Sequence, residues 1–171
     1  MEFPNLKHPF SMMICGPSNS GKTFFVRRIL ETKLIKPFPN KIIWCYGIYQ
    51  KLFEKMSDIE FHEGIPSDVE NITNALIIID DLMNEVGDDK KLSNLFTKGS
   101  HHRDISRQAT DFLSIRQMYP SQSKFLLESY DDATKAPYGY LFMDLKPETN
   151  ERLRIRTSIF PEDKNIVYVP R

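Results

Sequence analysis

The chain's 171 residues are enough for one domain and scarcely for two, and 40% hydrophobic with 27% charged residues is the balance of an ordinary soluble globular domain. Lys+Arg and Asp+Glu number 23 each, so the net formal charge is zero and gives no global pull on a nucleic acid; any DNA contact needs a local patch. The two cysteines, Cys15 and Cys45, form no CxxC pair, which excludes a zinc or dithiol motif and suits a reducing compartment.

Met1-Glu2-Phe3-Pro4-Asn5 lacks the charged and apolar regions of a signal peptide, so a protein that is not secreted is expected. Phe10–Cys15 is an apolar run ending at Gly16 and predicts a buried strand, with Cys15 as one of its small hydrophobes. Phe25, Val26, Ile29 and Leu30 recur at helical spacing and predict a helix over Thr23–Leu34, ended before Pro37 and Pro39. Lys41–Tyr46, stopped by Gly47, predicts a second strand, and Cys45 is expected to be buried in it. A helix over Tyr49–Met56 and a short strand at Glu60-Phe61-His62 follow.

Ala75–Ile79 is the clearest strand, and its unbroken apolar character fits a strand covered on both faces. Leu92–Thr97 predicts a helical turn or two. Arg107–Tyr119 and Ser123–Lys135 predict helices separated by Pro120. Tyr138–Leu145 predicts a strand and Asn165–Val169 another. Phe10–Cys15 and Ala75–Ile79 are the longest apolar runs, far short of the roughly 20 residues a membrane helix needs. Strands alternating with helices predict an α/β sandwich on a mostly parallel sheet.

The octet Gly16-Pro17-Ser18-Asn19-Ser20-Gly21-Lys22-Thr23 fits the phosphate-loop pattern GxxxxGK[ST], set between a predicted strand and a predicted helix. Gly16 and Gly21 let the backbone turn so that successive N–H groups face a phosphate. The positive end of the following helix points the same way. Lys22 would reach the β- and γ-oxygens of ATP as a point charge, and the Thr23 hydroxyl would be one ligand of Mg²⁺.

A nucleotide site also needs an acidic strand end. Asp80 follows the apolar strand where a Walker B aspartate holds the metal's water shell. Asp81 comes next and would orient or polarise the attacking water; the alternative is that it caps a following helix. No arginine-rich lid of the kind small-molecule kinases carry is visible.

Two other patterns have bland and functional readings. Arg152-Leu153-Arg154-Ile155-Arg156 would place three arginines on one strand face, either as a stripe along a DNA backbone or as a charge-protected edge strand. Glu148, Glu151, Glu162 and Asp163 dilute the charge and favour the edge strand. Trp44, Tyr46 and Tyr49 read as core and interface aromatics rather than base-stacking platforms.

Five stretches then carry a family likeness. They are Phe10–Thr23, Ile43-Trp44-Cys45-Tyr46-Gly47-Ile48-Tyr49-Gln50 and Phe61-His62-Glu63-Gly64-Ile65-Pro66. Next come Leu76–Met83 running on to Leu95-Phe96-Thr97-Lys98-Gly99-Ser100-His101-His102-Arg103, and Gln117-Met118-Tyr119-Pro120 with Pro137-Tyr138-Gly139-Tyr140-Leu141. Together they resemble the DNA-packaging ATPases of large DNA viruses and of Polinton (Maverick) elements, the poxvirus-type branch of the FtsK/HerA superfamily.

The resemblance implies one P-loop NTPase domain over residues 1–171, a three-layer α/β sandwich with a mostly parallel central sheet. It implies ATP hydrolysis with Mg²⁺, coupled to translocation of double-stranded DNA into a capsid. The implied partners are the DNA, capsid vertex or portal proteins and further copies of the chain in a ring, with no membrane. The implied location is the virion assembly site in the host nucleus or cytoplasm. Arg103 becomes the candidate arginine finger for a neighbouring subunit's ATP, with a solvated arginine as the alternative. Adjacent His101 and His102 point apart on a loop and suggest no metal site.

The chain departs from that family after residue 106. The family continues there into a strand ending in a polar γ-phosphate sensor; here Ser106 runs straight into Arg107, as if about thirty residues were missing. The expected sandwich therefore lacks one central strand region, which lies in the family between the loop strand and the Walker B strand. The remaining strands, Phe10–Cys15, Lys41–Tyr46, Ala75–Ile79, Tyr138–Leu145 and Asn165–Val169, are expected in one sheet. Either Ala75–Ile79 closes up beside Phe10–Cys15 or a slot stays open. Two other readings stand beside the packaging motor: a nucleotide-binding module that has lost turnover, and a phosphotransferase acting on a small substrate.

Overall fold

The computed structural model describes residues 5–82 and 123–170; the helices expected at 92–97 and 107–119 lie outside them. The described residues form a mixed α/β structure with parallel sheets and few helices. In chain order the elements are β1 (Leu6–Lys7), α1 (Lys22–Glu31), β2 (Ile35–Lys36), β3 (Lys41–Tyr46), β4 (Glu60–Glu63) and β5 (Ala75–Asp80). Then follow α2 (Ser123–Ala133), β6 (Phe142–Met143), β7 (Ile155–Thr157) and β8 (Ile166–Tyr168). They fall into two compact units.

One unit holds Asn5–Cys15 and the described residues from 33 to 82. Its main sheet has the order β4-β3-β5, all parallel, with Ile43 opposite Ile77 and Cys45 opposite Ile79. Side chains alternate across a strand, so the central strand feeds two separate cores. On one face Ile43, Cys45 and Ile77 pack with Val69 and Leu82. On the other, Trp44 meets Phe53 with ring centroids 5.6 Å apart, and Phe53 stacks on Phe61 at 4.5 Å.

Each connection covers one face. The 3-10 turn Lys51–Lys55 between β3 and β4 delivers Phe53. The 3-10 turn Val69–Asn71 between β4 and β5 delivers Val69 to the opposite core. The continuous apolar runs of β3 and β5 thus have the two-sided cover that parallel strands require. The helix expected over Tyr49–Met56 is this 3-10 turn instead.

Trp44 is fully buried, and its indole N–H has no acceptor among the described residues, so its contribution is apolar packing. Trp44→Ala should cost about 3–5 kcal/mol, a large part of the roughly 5–15 kcal/mol that holds a domain folded. The shift in a urea unfolding midpoint checks this; a loss under ~1 kcal/mol would mean that the aromatic face is not a core.

The loop strand expected at Phe10–Cys15 does not form. Only Ser11 makes a bridge, Met12, Met13 and Ile14 are half-buried, and Cys15 is exposed rather than a core hydrophobe. An apolar run becomes a strand only where a ladder satisfies its N–H and C=O groups. Among the described residues β5 pairs with β3 alone and does not close up beside this segment. The local pairing found in this part of the chain is instead the short parallel contact of β1 with β2, Leu6 opposite Ile35, which the sequence reading missed.

The other unit holds Gly16–Thr32 and the described residues from 123 onward. Its sheet, β6-β7-β8, is antiparallel, so the C-terminal strands do not join the parallel sheet as expected. The strand expected over Tyr138–Leu145 shortens to Phe142–Met143, because Tyr138 adopts φ 61° and Tyr140 turns to pack against Phe25, ring centroids 4.7 Å apart. α1 stops at Glu31 rather than Leu34: the Thr32 hydroxyl donates to the Arg28 carbonyl (2.8 Å), and Lys33 takes a left-handed φ of 49°.

Candidate nucleotide-binding site

The octet Gly16–Thr23 is a closed loop on the N-terminus of α1. The Ser20 N–H donates to the Pro17 carbonyl at 3.3 Å, Asn19 takes φ 62°, and Gly21 takes φ 89° as the N-cap of the helix. Asn tolerates the left-handed region better than most residues, and Gly enters it without penalty. No side chain caps α1, and no acid lies in its first turn, so neither competes with an incoming anion for the positive helix end. At Gly16 a Cβ would stand 2.7 Å from the Ser20 hydroxyl oxygen, so a larger residue there would make the Ser20 side chain rotate away.

Lys22 braces the loop. Its ammonium donates to the carbonyls of Gly16 (3.0 Å) and Pro17 (2.9 Å). The charge is therefore held over the loop rather than extended into solvent, in position to exchange carbonyl partners for phosphate oxygens. Thr23 follows in the first turn of α1. Gly16, Pro17, Ser18 and Asn19 are exposed; Ser20, Gly21, Lys22 and Thr23 are partly buried.

α1 is fixed from its other side. The Phe25 ring lies edge-on to Phe160 at 5.4 Å. Arg28 stacks over Phe160 at 4.0 Å and pairs with Glu162 (2.5 Å) and Asp163 (2.9 Å). The Tyr140 hydroxyl accepts from the Ile159 N–H (2.9 Å), and burial pushes its pKa up to about 12. The loop's helix is thus docked on the C-terminal segment of its own unit. No local sequence signal announces these pairs.

Asp80 and Asp81 lie in the other unit, at the end of β5. The Gly47 N–H donates to the Asp80 carbonyl at 3.1 Å, extending the β3–β5 ladder past Tyr46. Asp80 is half-buried. Asp81 turns the chain at φ 58° and is exposed, and Leu82 then returns to the core. A Cβ on Gly47 would stand 2.6 Å from the Asp81 carbonyl oxygen, so the turn is packed directly on β3's end. The residues that a helix capped by Asp81 would occupy lie outside the described residues, as do Arg103, His101 and His102.

No group of three or more His, Cys, Asp or Glu poised for a metal exists among the described residues. The Thr23 hydroxyl and the Asp80 carboxylate, which lie in different units, are each an oxygen donor of the kind Mg²⁺ takes. This hard cation keeps several waters and takes phosphate oxygens, so it asks the protein for few oxygen ligands. Burial, helped by the charge of Glu60, pushes the Cys45 thiol up to about 11 and makes it an inert core residue.

The arginine run is neither stripe nor edge. β7 is the central strand of its sheet, and Arg154 and Arg156 are buried at 7% and 6% exposure. Arg154 donates to the carbonyls of Asp144 and Pro147; Arg156 pairs with the Asp144 carboxylate at 3.3 Å and lies over Phe142. Burial lowers the Arg156 pKa, with Asp144 opposing. Only Arg152 is exposed, on a 3-10 turn. Trp44 is core as expected, Tyr46 is half-buried in the same aromatic cluster, and Tyr49 is over half exposed.

One neighbour of the loop was not foreseen: the Tyr138 ring stands against Gly21. The Pro-Tyr-Gly-Tyr block was its only trace in the sequence. No helix of the described residues is long and apolar enough to cross a membrane. Comparison with protein-family models, curated proteins and solved structures gives no significant match, so the residues themselves carry the functional argument.

Proposed function

We propose that the chain binds ATP with Mg²⁺ through Gly16–Thr23 and hydrolyses it to drive double-stranded DNA into a capsid. The observation that carries the reading is the loop itself: GPSNSGKT in sequence, closed over the uncapped positive end of α1, with the Lys22 ammonium held above it. In this reading the loop and first-turn N–H groups bind the phosphates, and Lys22 follows the γ-phosphate. Thr23 and Asp80 would hold the cation, which would supply charge neutralisation to the phosphates. Asp81 orients the attacking water. Arg103 acts on a neighbouring copy's ATP in a ring that also contacts capsid vertex or portal proteins. The fold that goes with this proposal is a P-loop three-layer sandwich, and the site of action is where virions assemble.

One observation favours a second reading, a nucleotide-binding module without turnover. The segment before the loop is not a strand, and β5 does not pair with it among the described residues. Hydrolysis needs Lys22 and Asp81 held to within a fraction of an ångström, since a ~1 Å misplacement can cost ~10²-fold. Steady-state ATP hydrolysis with and without double-stranded DNA separates the two. The motor predicts turnover that DNA stimulates. Binding without turnover in either condition selects the module.

A further inference from the structure

We propose that Tyr138 is the base-contacting residue of the nucleotide site, its ring a shelf on which the nucleobase of a bound nucleoside triphosphate stacks. This rests on the reading of Gly16–Thr23 as a phosphate loop. It adds a residue that lies more than a hundred positions away in the chain and outside the loop motif.

Three observations converge on the ring. First, its place: a Cβ on Gly21 would lie 3.0 Å from Tyr138 Cδ1 and 3.6 Å from Cε1, so the ring edge rests on the N-cap residue of α1. Gly21 is the N-cap from which the free N–H groups of the first helical turn begin. Second, its exposure: Tyr138 is 78% exposed, the most open of the large hydrophobic side chains among the described residues. It has not been drawn there by burial.

Third, the backbone turn that carries the ring is held from both sides. Tyr138 has φ 61°, a region that bulky residues rarely adopt and that persists only where the surroundings fix it. Behind it, a Cβ on Gly139 would stand 2.3 Å from the Ala133 carbonyl oxygen, so the turn sits tightly on the end of α2. The Gly139 N–H donates to the Ala136 carbonyl at 2.9 Å. In front, Tyr140 packs on Phe25 of α1 at 4.7 Å, which ties the turn to the helix that carries the loop. The fold thus spends a strained backbone on presenting an open aromatic face beside a phosphate loop.

The chemistry suits a nucleobase. On this proposal the ribose and base run outward past the N-cap from phosphates seated on the loop, and there the Tyr138 face offers stacking rather than a polar contact. Stacking accepts any base, because every base has a π-face. The shelf should therefore add affinity without selecting adenine. The ring, not the hydroxyl, matters.

The test is equilibrium binding of Mg·ATP, Mg·GTP and Mg·tripolyphosphate to the full chain and its variants. Tyr138→Asn removes the ring with a residue that tolerates the left-handed backbone. Tyr138→Phe keeps the ring, and Tyr138→Leu is a second ring-less variant should the first fold poorly. Tyr138→Asn or Tyr138→Leu should weaken ATP and GTP by roughly 5–150-fold each and leave tripolyphosphate unchanged within about twofold. Tyr138→Phe should bind all three like the parent. Equal weakening of ATP and tripolyphosphate would show that the ring shapes the loop and would overturn the shelf. So would ATP binding that is unchanged or tighter in the ring-less variants. If the parent binds tripolyphosphate and Lys22→Ala weakens that binding by about tenfold or more, the phosphate loop stands even when the shelf falls. If the parent binds none of the three ligands, both fall.

Discussion

Lys22→Ala is expected to weaken ATP binding by about 10–150-fold, the equivalent of roughly 1.5–3 kcal/mol for a charge-assisted hydrogen bond. Two effects add. The γ-phosphate loses its one direct cation from the loop. The loop also loses the brace from the ammonium to the carbonyls of Gly16 and Pro17. Lys22→Arg separates them: it keeps the charge but replaces a compact ammonium with a planar fork, so it should fall between parent and alanine. A nucleotide dissociation constant unchanged by Lys22→Ala, measured by calorimetry or a fluorescent analogue, would remove the phosphate-loop reading.

Asp81→Asn is expected to leave Mg·ATP bound and to slow hydrolysis by ~10²–10⁴-fold, the usual worth of a general base or water-orienting group. Asparagine tolerates the left-handed backbone that Asp81 adopts at φ 58°, so the turn onto Leu82 should survive and the loss should be chemical. Asp80→Asn should instead raise the Mg²⁺ concentration needed for half-maximal activity. The two side chains already differ: Asp81 is exposed on a turn, whereas Asp80 is half-buried at the ladder's end. Single-turnover rates across a Mg²⁺ series distinguish the roles. Identical behaviour of the two variants would void the division of labour.

The parts of the fold that were legible are those whose cause is local. β3 matches its predicted bounds and β5 ends one residue late, because an unbroken apolar run closed by Gly47 or an aspartate has few other ways to fold. The octet is legible for the same reason: glycines, lysine and threonine are each required by one backbone turn. Phe10–Cys15 shows the limit. Its apolar pattern equals that of β3, but a strand also needs a neighbour, and neighbours are a property of the whole chain. Cys15, expected in a core, is exposed for that reason.

The arginines at and just before β7 fail differently. Arg154 and Arg156 alternate like a surface stripe, but the turn that follows β6 brings Asp144 and the Pro147 carbonyl, 7 to 12 positions back, against them and makes them buried structural groups. Arg28 with Glu162, and Gly21 with Tyr138, are pairings of residues over a hundred positions apart that a single sequence does not reveal. Local patterns specify strands and loops; tertiary partners decide which charges and aromatics remain open.

The most direct measurement is a calorimetric titration of the full chain with ATP, in Mg²⁺ and again with the metal chelated by EDTA. The loop at Gly16–Thr23 predicts saturable binding at one site per chain that tightens with Mg²⁺, because Thr23 contributes a ligand only to the metal-bound nucleotide. A titration with no saturable heat in either condition, from a chain shown by circular dichroism to be folded, would contradict the account.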